Sequence, residues 1–593
     1  MSLLRRVRRD VTFLRDAARA YSILRKVRPD GELTFVDFVE ERVAAAPHRL
    51  AILFEGRKLT NAELDASANR IARWASAQGI GRGDVVGLLM ENRPEFVITW
   101  LGLAKLGAVT ALMNTNLRGH PLAHSLAVAD AKHLVLGAEL GDALESAREH
   151  VTSWPTVWAT GGAVDGARDL DAELATRSPE PIDREVRRGL KAADKLFYIY
   201  TSGTTGLPKA ANISHLRACM MGGGAAGAQQ LGPEDRVYVT LPLYHSAGGV
   251  MAAGSALMSG GVLVLARKFS ARRFWSDCRE NEVTSFQYIG ELCRYLLHSP
   301  EHPDEQRHRI RVCIGNGLRP EIWEQFQERF NIPKIIEFYG ATEGNVALMN
   351  LDGKVGAIGR LPRIVRGAMG VALIRYDVAK DEHERDARGF CIPCKPGEVG
   401  EAIGRISAVS RFEGYSNPEA TEKKILRDVF KRGDAYFRTG DLMRMDSDDY
   451  FYFVDRIGDT FRWKGENVST NEVAEVLSVC PGVTEANVYG VTVPGQDGRA
   501  GMAALVVGES FHPSRLAERC ERELPAYARP LFLRLLPEIE ITGTFKHRKV
   551  DLVAEGFDPA AIRDPLFFLD GERGYVPLDA ALYDRIVRGE QRV

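Results

Sequence analysis

Long hydrophobic runs are missing from this chain of 593 residues: no stretch of eighteen consecutive apolar residues occurs. A membrane-spanning helix needs about 20 such residues, so no spanning helix is expected. The N-terminus also lacks the apolar segment and the small-residue cleavage site of a secretory signal peptide. The sequence therefore predicts a cytoplasmic protein.

Net charge and cysteine are also scarce. Lys and Arg number 78 against 79 Asp and Glu, so no overall field favours nucleic acid as a partner. Of the eight cysteines, only Cys391 and Cys394 form a CxxC pair. Neither a second pair nor histidines at ligand spacing follow, which argues against a zinc site. We expect eight reduced thiols in a reducing compartment.

The length exceeds what one hydrophobic core supports, so two or more domains are expected. Strand and helix patterns alternate from 33 to 137. Thr60 and Glu63 form a capping box that opens one helix, and Pro94 lies in the first turn of another. This alternation predicts an α/β architecture with a parallel sheet.

Residues 198–210 (YIYTSGTTGLPKA) comprise the end of a predicted buried strand and the glycine- and threonine-rich loop that follows it. Its small residues allow the backbone to fold closely around a ligand, and Lys209 adds a positive charge. Loops of this composition bind phosphate through amides, hydroxyls and one ammonium group. The spacing differs from that of a Walker A loop, because Leu207 and Pro208 separate Gly206 from the lysine.

Four further motifs follow in order at 339–344 (YGATEG), 438–442 (RTGDL), 455–466 and 542–549. With the loop, they resemble the adenylate-forming superfamily of acyl-CoA synthetases, luciferases and peptide-synthetase adenylation domains. The stretches NGLRP, FRWKGEN and TGTFK, which begin at 316, 461 and 542, resemble the fatty acid transport protein / very-long-chain acyl-CoA synthetase branch.

The resemblance implies a large N-terminal domain of α/β subdomains with a distorted β-barrel, followed by a small, mobile α+β C-terminal domain. We place a basic amphipathic helix at 1–32, the large AMP-binding domain at 33–456, and the small domain with a branch-type extension at 457–593. Alternating apolar and polar residues at 370–410, punctuated by Gly and Pro, independently predict an antiparallel, barrel-like subdomain.

The resemblance also implies a reaction in two halves that uses ATP, Mg²⁺ and coenzyme A. A fatty carboxylate attacks the α-phosphorus of ATP, and the coenzyme A thiolate then attacks the acyl adenylate. Because the first half brings an anion onto a polyanion, cations are required. By position in the motifs, Lys209 suits the β- and γ-phosphates. Glu343, assisted by Thr204, suits Mg²⁺, whose sites use one or two carboxylates plus phosphate oxygens.

The nucleotide-binding residues are carried over from the same resemblance. Tyr339 is expected to stack on adenine, with a core tyrosine as the alternative. Asp441 is expected to accept from both ribose hydroxyls, and the planar guanidinium of Arg456 suits a phosphate. The other predicted nucleotide-binding residues are Thr201, Ser202, Gly203, Thr205, Gly206, Asn316, Gly317, Gly340, Ala341 and Thr342. Asn316 and Gly317 belong to a predicted strand-to-helix turn at 314–320, and the resemblance implies that this turn contacts adenine.

Lys546 is the predicted catalytic lysine of adenylation. Most of the superfamily has Gly before this lysine, whereas this chain has Phe545, a departure that the branch shares. Because Lys546 lies in the small domain, adenylation requires domain closure. In the family the small domain then swings to allow thioester formation, and Gly458 is the predicted hinge because glycine tolerates large backbone changes.

The segment 222–227 (GGGAAG) matches GxGxxG only formally, because a helix is predicted before it and a dinucleotide site needs a strand there. A glycine-rich helix instead allows another backbone or a slender alkyl chain to pass closely, which makes Gly222 and Gly224 acyl-site candidates. The resemblance places His245 beside the acyl site, with a purely structural histidine as the alternative.

Residues 2–28 carry nine Arg or Lys and two acids. An apolar stripe at helical spacing comprises Leu4, Val7, Val11, Leu14, Ala18 and Tyr21. Two interpretations remain open: a helix in the interface of a cytoplasmic membrane face, or a helix packed on its own domain with a solvated basic face. A homodimer is also left open.

The predicted function is that of a long- or very-long-chain fatty acyl-CoA synthetase acting on fatty acid, ATP and coenzyme A. One alternative is an acyl-AMP ligase that loads a carrier protein. Another is a non-catalytic protein of fatty-acid binding or uptake that retains the fold. The combination of Lys209, Glu343, Asp441 and Lys546 favours an enzyme, since a pure binding protein needs none of them together.

Overall fold

The computed structural model describes residues 3–202, 208–342, 344–378, 380–407, 410–496, 498–539 and 549–593. The helices are α1 Leu3–Leu24, α2 Phe35–Ala45, α3 Asn61–Ala77, α4 Pro94–Lys105, α5 Gly119–Ala129, α6 Gly141–Ser146, α7 Leu170–Ala175, α8 His215–Gln229, α9 Ala253–Ser259, α10 Phe274–Glu280, α11 Gly290–His298, α12 Pro320–Arg329, α13 Arg363–Met369, α14 Pro418–Glu422, α15 Thr470–Ser478, α16 Pro513–Glu523, α17 Val550–Glu555 and α18 Ala580–Val587.

The strands of the first half of the chain are β1 Leu50–Phe54, β2 Arg57–Thr60, β3 Val85–Leu89, β4 Val109–Leu112, β5 His133–Gly137, β6 Thr156–Thr160, β7 Arg168–Asp169, β8 Lys195–Ser202, β9 Pro208–Ser214, β10 Arg236–Val239, β11 Val262–Leu265, β12 Ser285–Ile289, β13 Val312–Asn316, β14 Ile335–Gly340 and β15 Ala347–Asn350. Those of the second half are β16 Gly359–Arg360, β17 Val371–Ile374, β18 Tyr376–Asp377, β19 Glu382–His383, β20 Val399–Arg405, β21 Ile425–Arg427, β22 Ala435–Met445, β23 Tyr450–Arg456, β24 Phe461–Trp463, β25 Glu466–Val468, β26 Val483–Val491, β27 Ala500–Val507, β28 Phe532–Leu536, β29 Leu566–Asp570 and β30 Gly574–Pro577.

The chain divides into two compact units. Unit 1 comprises residues 1–318, 322–355 and 407–425, and unit 2 comprises 319–321, 356–406 and 426–593. The domain boundary predicted at 456/457 falls inside unit 2 and stays a prediction.

Unit 1 contains two sheets that are parallel except at their ends. One has the strand order β15-β14-β13-β12-β10-β11-β1-β2, and the other has the order β7-β6-β5-β3-β4-β8-β9. The predicted start signals are confirmed: Thr60 and Glu63 form the capping box of α3, and Pro94 occupies the first turn of α4. Strand–helix alternation therefore produces the α/β architecture expected from the sequence.

Unit 2 contains an antiparallel sheet with the order β16-β23-β22-β20-β17, to which β21 adds through β22. This sheet confirms the antiparallel subdomain predicted at 370–410 and extends it to Arg456. A separate sheet, β26-β27-β28-β29-β30, carries its own hydrophobic core with α15 and α16. These elements match the α+β pattern predicted for the C-terminal part of the chain.

Helix α1 packs against α8, as one of the two interpretations expects. Phe13 and Asp16 are buried, whereas Val7, Val11 and Leu14 are 53%, 60% and 38% exposed. Packing of the helix on its own domain is therefore confirmed, although these three apolar residues are exposed. No described helix combines the length and the hydropathy that crossing a bilayer requires.

Candidate nucleotide and acyl site

Strands β8 and β9 carry the two ends of the predicted phosphate loop. They pair in antiparallel register, with Thr201 opposite Lys209. The buried residues Tyr198 and Tyr200 anchor the incoming strand, as the sequence predicted. Lys209 is half-buried at the start of β9. The loop residues Gly203, Thr204, Thr205 and Gly206 and the side chain of Ser202 lie outside the described residues, so their roles stay predictions.

The predicted adenine-contacting turn begins where β13 ends at Asn316. Gly317 has a φ of +80°, a conformation that favours glycine. The backbone of Gly290, at the start of α11, packs directly on this turn: a Cβ there would lie 1.7 Å from the carbonyl oxygen of Gly317. Glycine is thus required on both sides of the contact.

Sequence reasoning missed Glu337, a fully buried acid on β14 whose carboxylate holds the same turn. Its Oε1 accepts hydrogen bonds from the backbone amides of Gly317 and Leu318, the latter at 3.3 Å. Its Oε2 accepts from the Tyr288 hydroxyl at 2.5 Å. Burial raises the pKa of Glu337 to about 8, although these three hydrogen bonds oppose the shift. An acid within an apolar run at 335–338 (IIEF), two residues before Tyr339, was the available signal.

The segment that follows β14 contacts α8 and the residue after His245. The guanidinium Nη2 of Arg217, in the first turn of α8, donates to the Ala341 carbonyl at 2.8 Å. The hydroxyls of Ser246 and Thr342 lie 3.2 Å apart. Tyr339 is half-buried and Gly340 is exposed. Tyr339 is thus partly accessible, and its stacking on adenine stays a prediction.

Helix α8 brings the predicted acyl-site glycines to the same part of unit 1. A Cβ on Gly222 would lie 3.0 Å from the Gly254 backbone, so the expected close passage of another backbone occurs there. Gly224 is also buried, yet a Cβ on it would meet no described atom within 4 Å. His245 is half-buried, with its ring 4.3 Å from that of Tyr244. Open space beside a buried glycine suits a slender chain.

In unit 2, Asp441 and Arg456 occupy opposed positions of β22 and β23. Arg456 Nε lies 3.9 Å from Asp441 Oδ1. The Thr439 hydroxyl accepts from the Asp441 amide at 3.0 Å and donates to the Ala402 carbonyl at 2.7 Å. These neighbouring strands place a carboxylate and a guanidinium side by side, as ribose and phosphate binding would require.

A second buried glutamate, also missed from the sequence, supports this part of β22. Glu401 Oε1 accepts from the amide of Gly440 at 2.9 Å, and its Oε2 lies 2.5 Å from His383 Nε2. Burial raises the pKa of Glu401, but His383 and the nearby Arg438 guanidinium outweigh it, leaving the pKa below its ordinary value. The carboxylate therefore remains ionised beside the β22 backbone that carries Asp441, the predicted ribose ligand.

The predicted hinge follows β23. Gly458 does not adopt the left-handed conformation, and a Cβ on it would meet no described atom within 4 Å. Its neighbour Asp459 pairs with Lys549 Nζ at 3.1 Å, and that ammonium also donates to Thr470 Oγ1 at 2.8 Å. Lys546 lies outside the described residues, and its role stays a prediction.

The predicted Mg²⁺ ligands, Glu343 and Thr204, also lie outside the described residues. Among those that are described, no group of three or more His, Cys, Asp or Glu side chains is arranged to hold a metal. All eight cysteines are free thiols.

Two family models match the chain. The AMP-binding enzyme family matches residues 39–403, and the AMP-binding enzyme C-terminal domain matches residues 472–546. Long-chain fatty acid transport protein 1 of Mus musculus is 44% identical, covering 98% of this chain and 92% of that protein.

Solved structures share the fold. An anthranilate CoA ligase in complex with anthranoyl-AMP superposes with a TM-score of 0.76 at 21% identity, covering 89% of this chain and 98% of the ligase. A fatty acyl CoA synthetase of Mycobacterium tuberculosis superposes with a TM-score of 0.63 at 24% identity, covering 88% and 98%. These matches confirm the predicted fold class.

Proposed function

Since the chain belongs to the AMP-binding enzyme family, in the branch of the long-chain fatty acid transport proteins, we propose that it is a long- or very-long-chain fatty acyl-CoA synthetase. The observation that carries this proposal lies in unit 1. The segment with Tyr339 and Thr342 is hydrogen-bonded to Arg217 of α8, the same helix in which the buried Gly224 faces open space. A nucleotide and a narrow apolar chain would thus meet at one helix.

In the proposed reaction, a fatty carboxylate attacks the α-phosphorus of ATP, and pyrophosphate leaves. The thiolate of coenzyme A then attacks the acyl adenylate, and AMP leaves. Lys209 contributes positive charge toward the phosphates, and Tyr339 and the turn at Gly317 hold adenine. Asp441 binds the ribose hydroxyls and Arg456 a phosphate, and both roles call for charge-assisted hydrogen bonds. Glu343 and Thr204 are the proposed Mg²⁺ ligands, and Lys546 the proposed adenylation lysine.

The competing functions differ in their products. An acyl-AMP ligase would release pyrophosphate without consuming coenzyme A, and a pure uptake or binding protein would release neither AMP nor pyrophosphate. The test is AMP release with a panel of fatty acids from C8 to C26, with and without coenzyme A. Coenzyme A-dependent AMP release that is greatest with long acids supports the proposal. AMP release at the same rate with every acid, or no AMP release, overturns the proposal.

We also propose peripheral contact of α1 with the cytoplasmic face of a membrane. Its exposed apolar residues Val7, Val11 and Leu14 lie in a helix rich in arginine. Such a helix binds an interface through its apolar side chains and through attraction of its cations to anionic lipid. Packing of the opposite face, at Phe13, on the protein leaves this stripe available.

A further inference from the structure

We infer that Glu337 is a positioning residue of the nucleotide site: it fixes the Gly317 turn in the shape that receives adenine, without touching the nucleotide itself. The inference rests on the proposed function, because it takes the turn as part of an ATP site. The proposed reaction does not involve Glu337 directly, so positioning the turn is the role inferred for this buried group.

The geometry explains why a side-chain oxygen acceptor is needed there. Gly317 and Leu318 are the first residues after the end of β13, where no neighbouring strand accepts their amide protons. One oxygen of Glu337 accepts both. Leu318 is buried, and a buried amide without an acceptor is strongly disfavoured. The Glu337 side chain therefore provides the hydrogen-bond acceptor that a neighbouring strand would provide inside the sheet.

The other side of Glu337 is fixed in turn. Its second oxygen accepts from the hydroxyl of Tyr288, which is itself fully buried on β12. The Tyr288 hydroxyl also lies 3.3 Å from the Ile336 carbonyl, so it has an alternative acceptor. Residues on β12 and β14 thus clamp a turn that follows β13, and the three strands are neighbours in the sheet.

Variants at these two positions can distinguish the need for a hydrogen-bond acceptor from the need for an acidic group. In E337Q, the amide oxygen can still accept from Gly317 and Leu318, while its nitrogen donates to the Tyr288 oxygen and that hydroxyl turns to Ile336. In E337L, both backbone amides lose their side-chain acceptor, and that of the buried Leu318 is left without a replacement. Y288F leaves the turn's own two hydrogen bonds in place.

The experiment measures AMP binding by calorimetry and the ATP KM and kcat of purified full-length protein. E337Q and Y288F are expected to bind AMP within about threefold of wild type. E337L is expected to lose at least about tenfold, since the two hydrogen bonds that hold the turn are removed. Its ATP KM should rise while kcat at saturating ATP and the fatty acid KM stay near wild type.

Should E337L fail to fold, hydrogen–deuterium exchange of the peptide that covers 312–318 is compared between wild type, E337Q and E337M. Faster exchange in E337M alone supports the positioning role. AMP binding of E337L or E337M equal to wild type overturns it, as does a loss in E337Q as large as that in E337L. Wild-type protein that binds neither ATP nor AMP would instead refute the proposed function.

Discussion

Asp441 and Arg456 stand directly opposite each other on the neighbouring antiparallel strands β22 and β23, with Arg456 Nε 3.9 Å from Asp441 Oδ1. Because the ladder fixes both backbones, the carboxylate and the guanidinium are presented together. Glu401, which supports this part of β22, is buried. Arg456, in contrast, keeps nearly half of its side chain exposed. A pair so arranged has a charge of each sign ready for a ligand that carries hydroxyls and a phosphate.

Asp441→Ala is therefore expected to raise the ATP KM. A charge-assisted hydrogen bond is worth about 1.5–3 kcal/mol, which corresponds to roughly ten- to 150-fold. Asp441→Asn keeps an acceptor and is the matched control, with a smaller increase. Steady-state kinetics with varied ATP measures both, and an unchanged ATP KM with normal turnover in the alanine variant would contradict ribose binding by Asp441.

The exposed stripe of α1 supplies the second prediction. Val11→Glu and Leu14→Glu should abolish sedimentation with liposomes that contain anionic lipid, because they place charge on the face proposed to enter the interface. Activity on detergent-dispersed substrate should persist, since both side chains are exposed. The control is Val186→Glu, at another exposed valine. Unchanged sedimentation of both α1 variants would contradict membrane contact through this stripe.

Glu337 also predicts a pH dependence of stability. Burial raises its folded pKa to about 8 from the ordinary 4.5. Between these values the folded state binds more protons than the unfolded state, so the contribution of Glu337 to the free energy of unfolding falls as pH rises. The slope is up to about 1.4 kcal/mol per pH unit.

Urea unfolding of wild type and E337Q at pH 5, 6.5 and 8 measures this effect. The stability of E337Q relative to wild type should increase with pH, because glutamine does not titrate. A difference that stays constant over this range would contradict a raised pKa of the buried carboxyl group.

Local signals carried most of the fold prediction. The capping box at Thr60 and the proline at the start of α4 act within one helical turn, so the sequence alone locates both helix starts. The glycine-rich segment was assigned to a helix for the same reason, and α8 confirms it. Periodicity also predicted the helix α1, but not which of its faces packs, because that depends on the surface offered by α8.

The supporting carboxylates escaped prediction because their partners are distant in sequence. Glu337 holds an amide twenty residues earlier, and Glu401 holds one thirty-nine residues later. Only the strand order of each sheet brings these pairs together. The motif positions nearest the chemistry, Thr204, Glu343 and Lys546, remain predictions from resemblance.

Variants at Lys546 and Gly458 together test whether the two half-reactions use different domain arrangements. Lys546 is proposed to neutralise charge where the carboxylate meets the α-phosphate, and removing one such preorganised contact typically costs about 10²–10³ in rate. Lys546→Ala should therefore lose acyl-AMP formation by that factor. It should still convert supplied acyl-AMP and coenzyme A to acyl-CoA at near wild-type rate, because the rotated small domain presents another face.

Gly458→Pro should give the opposite pattern, with adenylation retained and thioester formation lost, since a fixed φ obstructs the rotation. Gly458→Ala is the matched control. Gly458 is not in the left-handed conformation and a Cβ has open space around it, so alanine should fold normally and keep both half-reactions. Rapid-quench assays of each half-reaction measure these rates. Equal loss of both half-reactions in folded Lys546→Ala protein would contradict domain alternation and indicate one fixed site in which Lys546 acts throughout.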